Sequence, residues 1–313
     1  RGDVSLTYFE FGTLAALVVF RDAGPDVMLL EVGLGGRLDA INIIDTDVAV
    51  VTSIDLDHQS WLGDTREEIA AEKLGIARAN RPLIIGEQNF PVGFEEMVAS
   101  TGADGLFVGR DFSFTREALF VANLKSPNGV LVIDQLDSQG LLPLNKTLAL
   151  QALMSAGISL DADTCRQVLA AVMLRGRHQW VEYKGLSVIL DVAHNPAAAN
   201  VLAENLPAIT GRTLAVASVL DDKDWSGIVA ELTETVDDWF IAEISDSSKA
   251  LSGQTLLELL YNTGQSAQLL ESVVQAFFAA VTEATVADRV VVFGSFHTVS
   301  AVLEVILAEV SSE

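Results

Sequence analysis

Leu186-Ser187-Val188-Ile189-Leu190-Asp191-Val192-Ala193-His194-Asn195-Pro196 is a β-branched, aliphatic run that stops at an acid. Asn195-Pro196 then supplies an N-cap and a proline for the first turn of a helix. A strand with no alternating polar face is one covered on both sides, so this stretch predicts the strand and following helix of a layered α/β sheet. Comparable runs recur at Val27–Val32, Val48–Ser53, Leu83–Gly86, Val130–Ile133, Leu214–Val219, Trp239–Ala242 and Val290–Gly294. Between them lie amphipathic stretches predicted as helices: Tyr8–Ala23, Thr65–Ala79 behind the capping box Thr65-x-x-Glu68, Lys146–Ala156, Asp161–Met173, Pro196–Leu206, Trp225–Thr235, Ser272–Ala287 and Val299–Val310. The alternation predicts an α/β fold with mostly parallel sheets. Gly86 to Gln139 lacks a clear period and is predicted to hold short antiparallel strands. The charged, glycine-interrupted stretch Arg175-Gly176-Arg177-His178 divides the chain into 1–175 and 176–313.

Composition narrows the function. The 313 residues suggest about two domains, and 50% hydrophobic content is enough for two cores. Lys+Arg 19 against Asp+Glu 43 leaves a net charge of −24, which repels a phosphate backbone and excludes a general nucleic-acid binder. The single cysteine, Cys165, forms neither an internal disulfide nor a thiolate metal site, which fits a reducing compartment and a cytoplasmic location. The apolar run Leu14–Phe20 stops at Arg21-Asp22, too short for a membrane span. The charged opening Arg1-Gly2-Asp3 does not read as a signal peptide.

Candidate chemistry sits at expected strand ends, where open parallel sheets bind ligands. Glu31 leads into Gly33-Leu34-Gly35-Gly36-Arg37-Leu38-Asp39, suited to a metal or a phosphate, although a solvated glycine turn is the plainer reading; Leu38 occupies the last glycine position of a dinucleotide fingerprint. The strand Val48–Ser53, expected beside the first, delivers Asp57 and His58, donors suited to Mg²⁺ or Mn²⁺; a surface ion pair is the plainer reading. Lys73, next to Glu72, reads as an exposed helix lysine unless burial favours its neutral form. Asp191, His194 and the helix N-terminus at Asn195 offer a phosphate or nucleotide contact, or simply a capped helix. Asp221-Asp222-Lys223-Asp224 reads as a solvated loop, and Gly294-Ser295-Phe296-His297-Thr298 as another glycine turn into a helix.

Six motifs in order resemble one family: Leu6-Thr7-Tyr8-Phe9-Glu10, Glu31 to Ala40, Leu56-Asp57-His58, Glu72-Lys73-Leu74-Gly75-Ile76, Asp191 to Pro196, and Gly294 to Val299. The chain resembles the folylpolyglutamate synthases, particularly the bacterial branch that is also dihydrofolate synthase, within the Mur-ligase-like superfamily. The resemblance implies a P-loop-type Mur-ligase-like ATPase domain, incomplete here, over 1–175 and a smaller Rossmann-like α/β domain over 176–313. It implies a ligase in which ATP phosphorylates a folate-side carboxylate and the amine of L-glutamate displaces phosphate. The substrates would be dihydropteroate and tetrahydrofolate polyglutamates, with two Mg²⁺ sites, a monovalent cation and a monomeric enzyme.

By resemblance, Glu31 and His58 match Mg²⁺ ligands, and Lys73 matches a carbamylated lysine that ligates a second Mg²⁺; His58 and Lys73 are thereby the catalytic pair. Phe9, Asp39 and Ala40 match positions lining the pterin pocket. Asn145, Arg177, Asp191 and His194 match nucleotide contacts. Three departures stand against the pattern. No Gly-Lys pair occurs, so the family's P-loop is not in this sequence and the chain as written is expected to be a fragment or divergent member, inactive or weak by itself. Ile41 stands where the family usually has Thr, and Arg175 where it has Pro. The competing readings are a non-catalytic pterin- or nucleotide-binding relative and another Mur-type amino-acid ligase.

Overall fold

The computed structural model describes residues 4–245 and 247–310. The opening Arg1-Gly2-Asp3, on which the signal-peptide reading rests, lies outside them. The chain divides into two compact units. The first runs to Thr115 and adds Val121–Asp134 and Leu144–Ala162; the second takes Arg116–Phe120, Gln135–Pro143 and the chain from Asp163 onward.

The elements up to Ser155 are α1 (Tyr8–Ala23), a 3₁₀ turn (Ala40–Ile43), β1 (Ala49–Val51), α2 (Gln59–Leu62), α3 (Arg66–Leu74), β2 (Pro82–Ile85), α4 (Phe94–Ser100), β3 (Asp104–Phe107), β4 (Ser113–Phe114), β5 (Leu119–Ser126), β6 (Gly129–Asp137) and α5 (Pro143–Ser155). Strands β1, β2 and β3 pair in that order, all parallel; the apolar runs of β1 and β2 fit such a sheet, whereas β3 opens on the exposed Asp104. Leu83 and Ile85 of β2 pack with Ile69, Ala70 and Leu74 of α3 and with Phe94 and Val98 of α4. Of the antiparallel strands expected in the Gly86–Gln139 region, β4 and β5 pair so, and with β6 they form a separate sheet in the order β4-β5-β6. The same region also holds α4 and the parallel β3.

Val27–Val32, expected as a strand, is not one. It has no strand partner among the described residues, and Val27, Met28 and Leu29 are exposed. Apolar sequence creates a strand only when a neighbouring backbone takes up its N–H and C=O groups.

From Ala162 onward the elements are α6 (Ala162–Ala171), β7 (Gln179–Tyr183), β8 (Leu186–Leu190), α7 (Pro196–Asn205), β9 (Thr213–Ala217), α8 (Trp225–Leu232), β10 (Asp238–Ala242), α9 (Gly253–Asn262), β11 (Ala267–Leu270), α10 (Val273–Glu283), β12 (Arg289–Phe293) and α11 (Phe296–Val310). The six strands lie in the order β11-β10-β9-β12-β8-β7. All neighbours are parallel except β7, which hairpins onto β8.

Side-chain alternation splits this sheet between two cores. Val188, Leu190, Leu214, Val216, Val290 and Val292 face Phe277 of α10 and Val302 of α11. Ile189, Ala215, Ala217, Val291 and Phe293 face Leu202 of α7, Ile228 of α8 and Leu256 of α9. Two helical layers over a parallel sheet leave the carboxyl ends of β8, β9 and β12 as the loop-bearing edge.

Candidate functional site

In the first unit the Thr7–Glu10 capping box fixes the start of α1: the Glu10 N–H donates to Thr7 Oγ1 at 3.2 Å, and the Thr7 N–H to Glu10 Oε2 at 2.7 Å. That places Phe9 on the glycine loop. A Cβ built on Gly33 would lie 2.8 Å from Phe9 Cζ and 3.3 Å from Asp39 Oδ2, so only a glycine lets ring and carboxylate meet there. Asp39 organises the loop through both oxygens. Oδ2 accepts the N–H groups of Gly33 (2.9 Å) and Leu34 (3.0 Å), and Oδ1 accepts that of Ile41 (2.9 Å), capping the 3₁₀ turn that begins at Ala40. Asp39 and Ala40 thus belong to the loop that the Phe9 ring of α1 approaches at Gly33.

The same loop leans on the last turn of α3. A Cβ on Gly36 would fall 2.8 Å from the Glu72 carbonyl oxygen and 3.1 Å from that of Lys73. The Arg37 N–H donates to the Glu72 carbonyl at 2.8 Å, and its guanidinium grips Glu72 Oε1 at 2.7 and 2.9 Å. Lys73 is half-buried, not the exposed lysine of the plain reading. Burial lowers its proton affinity, and the charge of Asp57 restores part of it.

His58 follows Asp57 in the left-handed region at φ 50°, with Nε2 3.9 Å from Asp57 Oδ1, and its carbonyl accepts the Trp61 N–H at 2.8 Å. The segment before it is held by two residues that sequence reasoning passed over. Glu87 Oε2 accepts the Ile54 N–H at 2.8 Å, and Arg66 Nε donates to the Ile54 carbonyl at 3.0 Å. The available signal was an acid directly after the β2 run.

Oxygen and imidazole donors of this kind suit a hard divalent cation. Glu31, His58 and Asp57 fit such an ion in chemistry, and Lys73 fits only once carbamylation has made it an oxygen donor. They do not form a finished cage: among the described residues no group of three or more His, Cys, Asp and Glu side chains is placed to hold a metal. Glu31 is exposed at the end of the unpaired Val27–Val32 stretch, so the two adjacent strand ends expected from the sequence are replaced by a loop and one strand end. Asn145 is exposed in the first turn of α5.

In the second unit, Asp191 follows β8 and turns inward. Its Oδ2 accepts the His178 N–H at 2.7 Å and Oδ1 the Ala193 N–H at 2.8 Å. Burial raises its pKa, more than these two donors and the charges of Arg177 and His194 offset. His194 Nδ1 lies 2.8 Å from the Val192 carbonyl, and the ring is half-buried. Asn195 caps α7 through the Ala198 N–H at 2.8 Å. Arg177 is exposed, its guanidinium 5.7 Å from the centroid of the Phe296 ring.

A parallel sheet between helical layers, with an acid, an imidazole and a capped helix at its loop edge, is the arrangement of a Mur-type ligase domain. The family described as "Mur ligase, glutamate ligase domain" matches residues 176–296. The dihydrofolate synthase/folylpolyglutamate synthase of Escherichia coli is 43% identical, over 98% of this chain and 71% of the relative. Its Haemophilus influenzae counterpart is 38% identical, over 95% and 72%. Among solved structures, Escherichia coli FolC in complex with DHPP and ADP superposes with a TM-score of 0.87 at 42% identity, covering 99% of this chain and 73% of that one. A bifunctional folylpolyglutamate synthase/dihydrofolate synthase with Mn, AMPPNP and L-glutamate bound superposes at 0.85 and 40% identity, covering 98% and 73%. The chain belongs to the dihydrofolate synthase/folylpolyglutamate synthase family, and its fold is the α/β two-domain fold of Mur-type ligases.

Proposed function

We propose that this protein joins L-glutamate to the benzoate carboxyl of dihydropteroate and to the γ-carboxyl of tetrahydrofolates, at the expense of ATP. A carboxylate oxygen attacks the γ-phosphorus and ADP departs, leaving an acyl phosphate. The glutamate amine then attacks the acyl carbon, the C–O bond breaks, and inorganic phosphate leaves as the amine gives up a proton. Phosphorylation is required because an oxide is too poor a leaving group for amide formation. The observation that carries this reading is the loop on which Phe9, Gly33 and Asp39 meet, seated on the turn that bears Lys73.

In this reading Phe9, Asp39 and Ala40 line the pterin pocket, with the Phe9 ring as the stacking surface. Asp39 spends three acceptor positions on the backbone, so its first task is to set the loop. Glu31, His58 and carbamylated Lys73 hold the divalent cations, two in number, which when bound neutralise charge on the transferring phosphoryl group. Asn145, Arg177, Asp191 and His194 serve the nucleotide. A monovalent cation, a monomeric state and a cytoplasmic location complete the proposal. No helix among the described residues is long and apolar enough to cross a membrane. We place the functional domain boundary at 175/176, where the matched ligase domain begins. The test is incorporation of labelled glutamate into dihydropteroate with ATP and Mg²⁺ by a form of the protein that carries the family's P-loop: transfer that Phe9→Ala weakens mainly through the dihydropteroate KM supports the assignment, and an unchanged KM contradicts it.

A further inference from the structure

The residues on both sides of Arg177 are tethered more completely than a linker requires. The Gly176 N–H donates to Gln179 Oε1 at 2.9 Å, and the Gly176 carbonyl accepts the Val192 N–H at 2.9 Å. The Arg177 N–H donates to the Leu174 carbonyl at 3.1 Å, and the His178 N–H to Asp191 Oδ2 at 2.7 Å. Gly176 and His178 both take positive φ, 68° and 45°, and both are buried. Gly176 has no room for a side chain, since a Cβ would meet Val299 Cγ1 at 3.0 Å and Val192 Cγ1 at 3.1 Å. Only the Arg177 side chain leaves this knot, toward the exposed face of Phe296. Three of the four tethers are unavoidable consequences of backbone or of Asp191. The fourth is a buried side-chain amide, Gln179 at 8% exposure, at the first position of β7.

We infer that Gln179 is a positioning residue: its carboxamide oxygen presets the Gly176–His178 turn so that Arg177 is presented in one orientation before ligand arrives. A buried N–H that loses its acceptor carries the full desolvation penalty, so the turn relaxes when Gln179 cannot accept. A guanidinium already held in place loses less freedom on engaging an anion. The inference rests on the assignment of Arg177 to the nucleotide, and the experiment separates the two.

Gln179→Met keeps the volume and removes the acceptor; Gln179→Glu keeps the acceptor. Amide hydrogen exchange, the Arg177 Nε–H resonance shifted by the Phe296 ring, and calorimetric affinity for AMPPNP with Mn²⁺ are measured in both, in Arg177→Ala and in the Arg177→Ala/Gln179→Met double variant. Gln179→Met is expected to speed Gly176 exchange and weaken AMPPNP binding about tenfold. The Arg177 resonance should lose its ring shift, Gln179→Glu should restore all three, and the double variant should bind as Arg177→Ala does. Wild-type exchange and resonance in Gln179→Met would overturn the inference. So would faster exchange spread evenly over the second unit, which marks a merely structural residue, or a further loss of affinity in the double variant. If Arg177→Ala leaves affinity unchanged, the nucleotide assignment fails, and the exchange and resonance data still judge Gln179.

Discussion

The ammonium of Lys73 is half-buried on the last turn of α3, where burial lowers its proton affinity and Asp57 raises it in part. With its folded-state pKa below the ordinary lysine value, the folded chain holds fewer protons on this group than the unfolded chain. Its contribution to stability therefore grows as pH rises toward the lysine range and is a cost at neutral pH. Lys73→Met is expected to raise stability by about 1 kcal/mol at pH 7 while abolishing glutamate transfer, as seen by calorimetry beside turnover. A lower melting point would show that the ammonium stabilises the fold and that its place is structural. His178 shows the same sign, since burial also depresses its pKa. The folded state resists its protonation, so stability is lost as pH falls below about 6.5. His178→Leu should flatten the melting temperature against pH below about 6.5. An unaltered acid limb would mean another group governs it. Residue identity was legible in the sequence where backbone logic is local, as with Asn195 before Pro196. It was not legible at Lys73, whose burial depends on a loop more than thirty residues away in the chain.

Secondary elements repeat this division. The α1 bounds Tyr8–Ala23 agree with the reading, because a capping box and Gly24 at φ 58° mark both ends within the helix's own neighbourhood. The pattern predicts a helix over Thr65–Ala79, whereas α3 stops at Leu74, where Gly75 packs so closely on Arg37 that a Cβ would collide with it. The sequence pattern predicts neither helix α9 nor strand β11, since Ser252 gives a cap but no apolar strand run follows it clearly, and Gln268 and Leu269 at the sheet edge are exposed. Val27–Val32 failed in the opposite sense, with strand composition but no partner. Close approach of the glycine loop to α3 is the element-level device on which the site depends. Gly36→Ala must push the loop away from the Glu72 carbonyl. The expected loss is about 2 kcal/mol of stability and most of the activity, measured by chemical denaturation and by substrate affinity. Retention of both would show that the loop and α3 are not mechanically joined.

Over the whole chain, −24 charges act on a fold whose cores are apolar. Self-repulsion at this net charge is screened by salt, so the melting temperature should rise as ionic strength goes from about 0.01 to 0.15 M, over which the Debye length shrinks from about 30 to 8 Å. A melting temperature that falls with salt would mean that local ion pairs outweigh the mean repulsion. The layered α/β plan was readable because it depends on strand composition, whereas strand order was not, since β12 inserts between β8 and β9 after three intervening strands. The proposed chemistry belongs to this scale: a carboxylate activated by phosphoryl transfer before glutamate attacks. It is tested most directly with dihydropteroate labelled with oxygen-18 in its carboxyl group, incubated with the enzyme, ATP, Mg²⁺ and L-glutamate. One labelled oxygen should appear in inorganic phosphate for each amide formed, with ADP as the other product. Amide formation with unlabelled phosphate, or with AMP and pyrophosphate, would contradict the account.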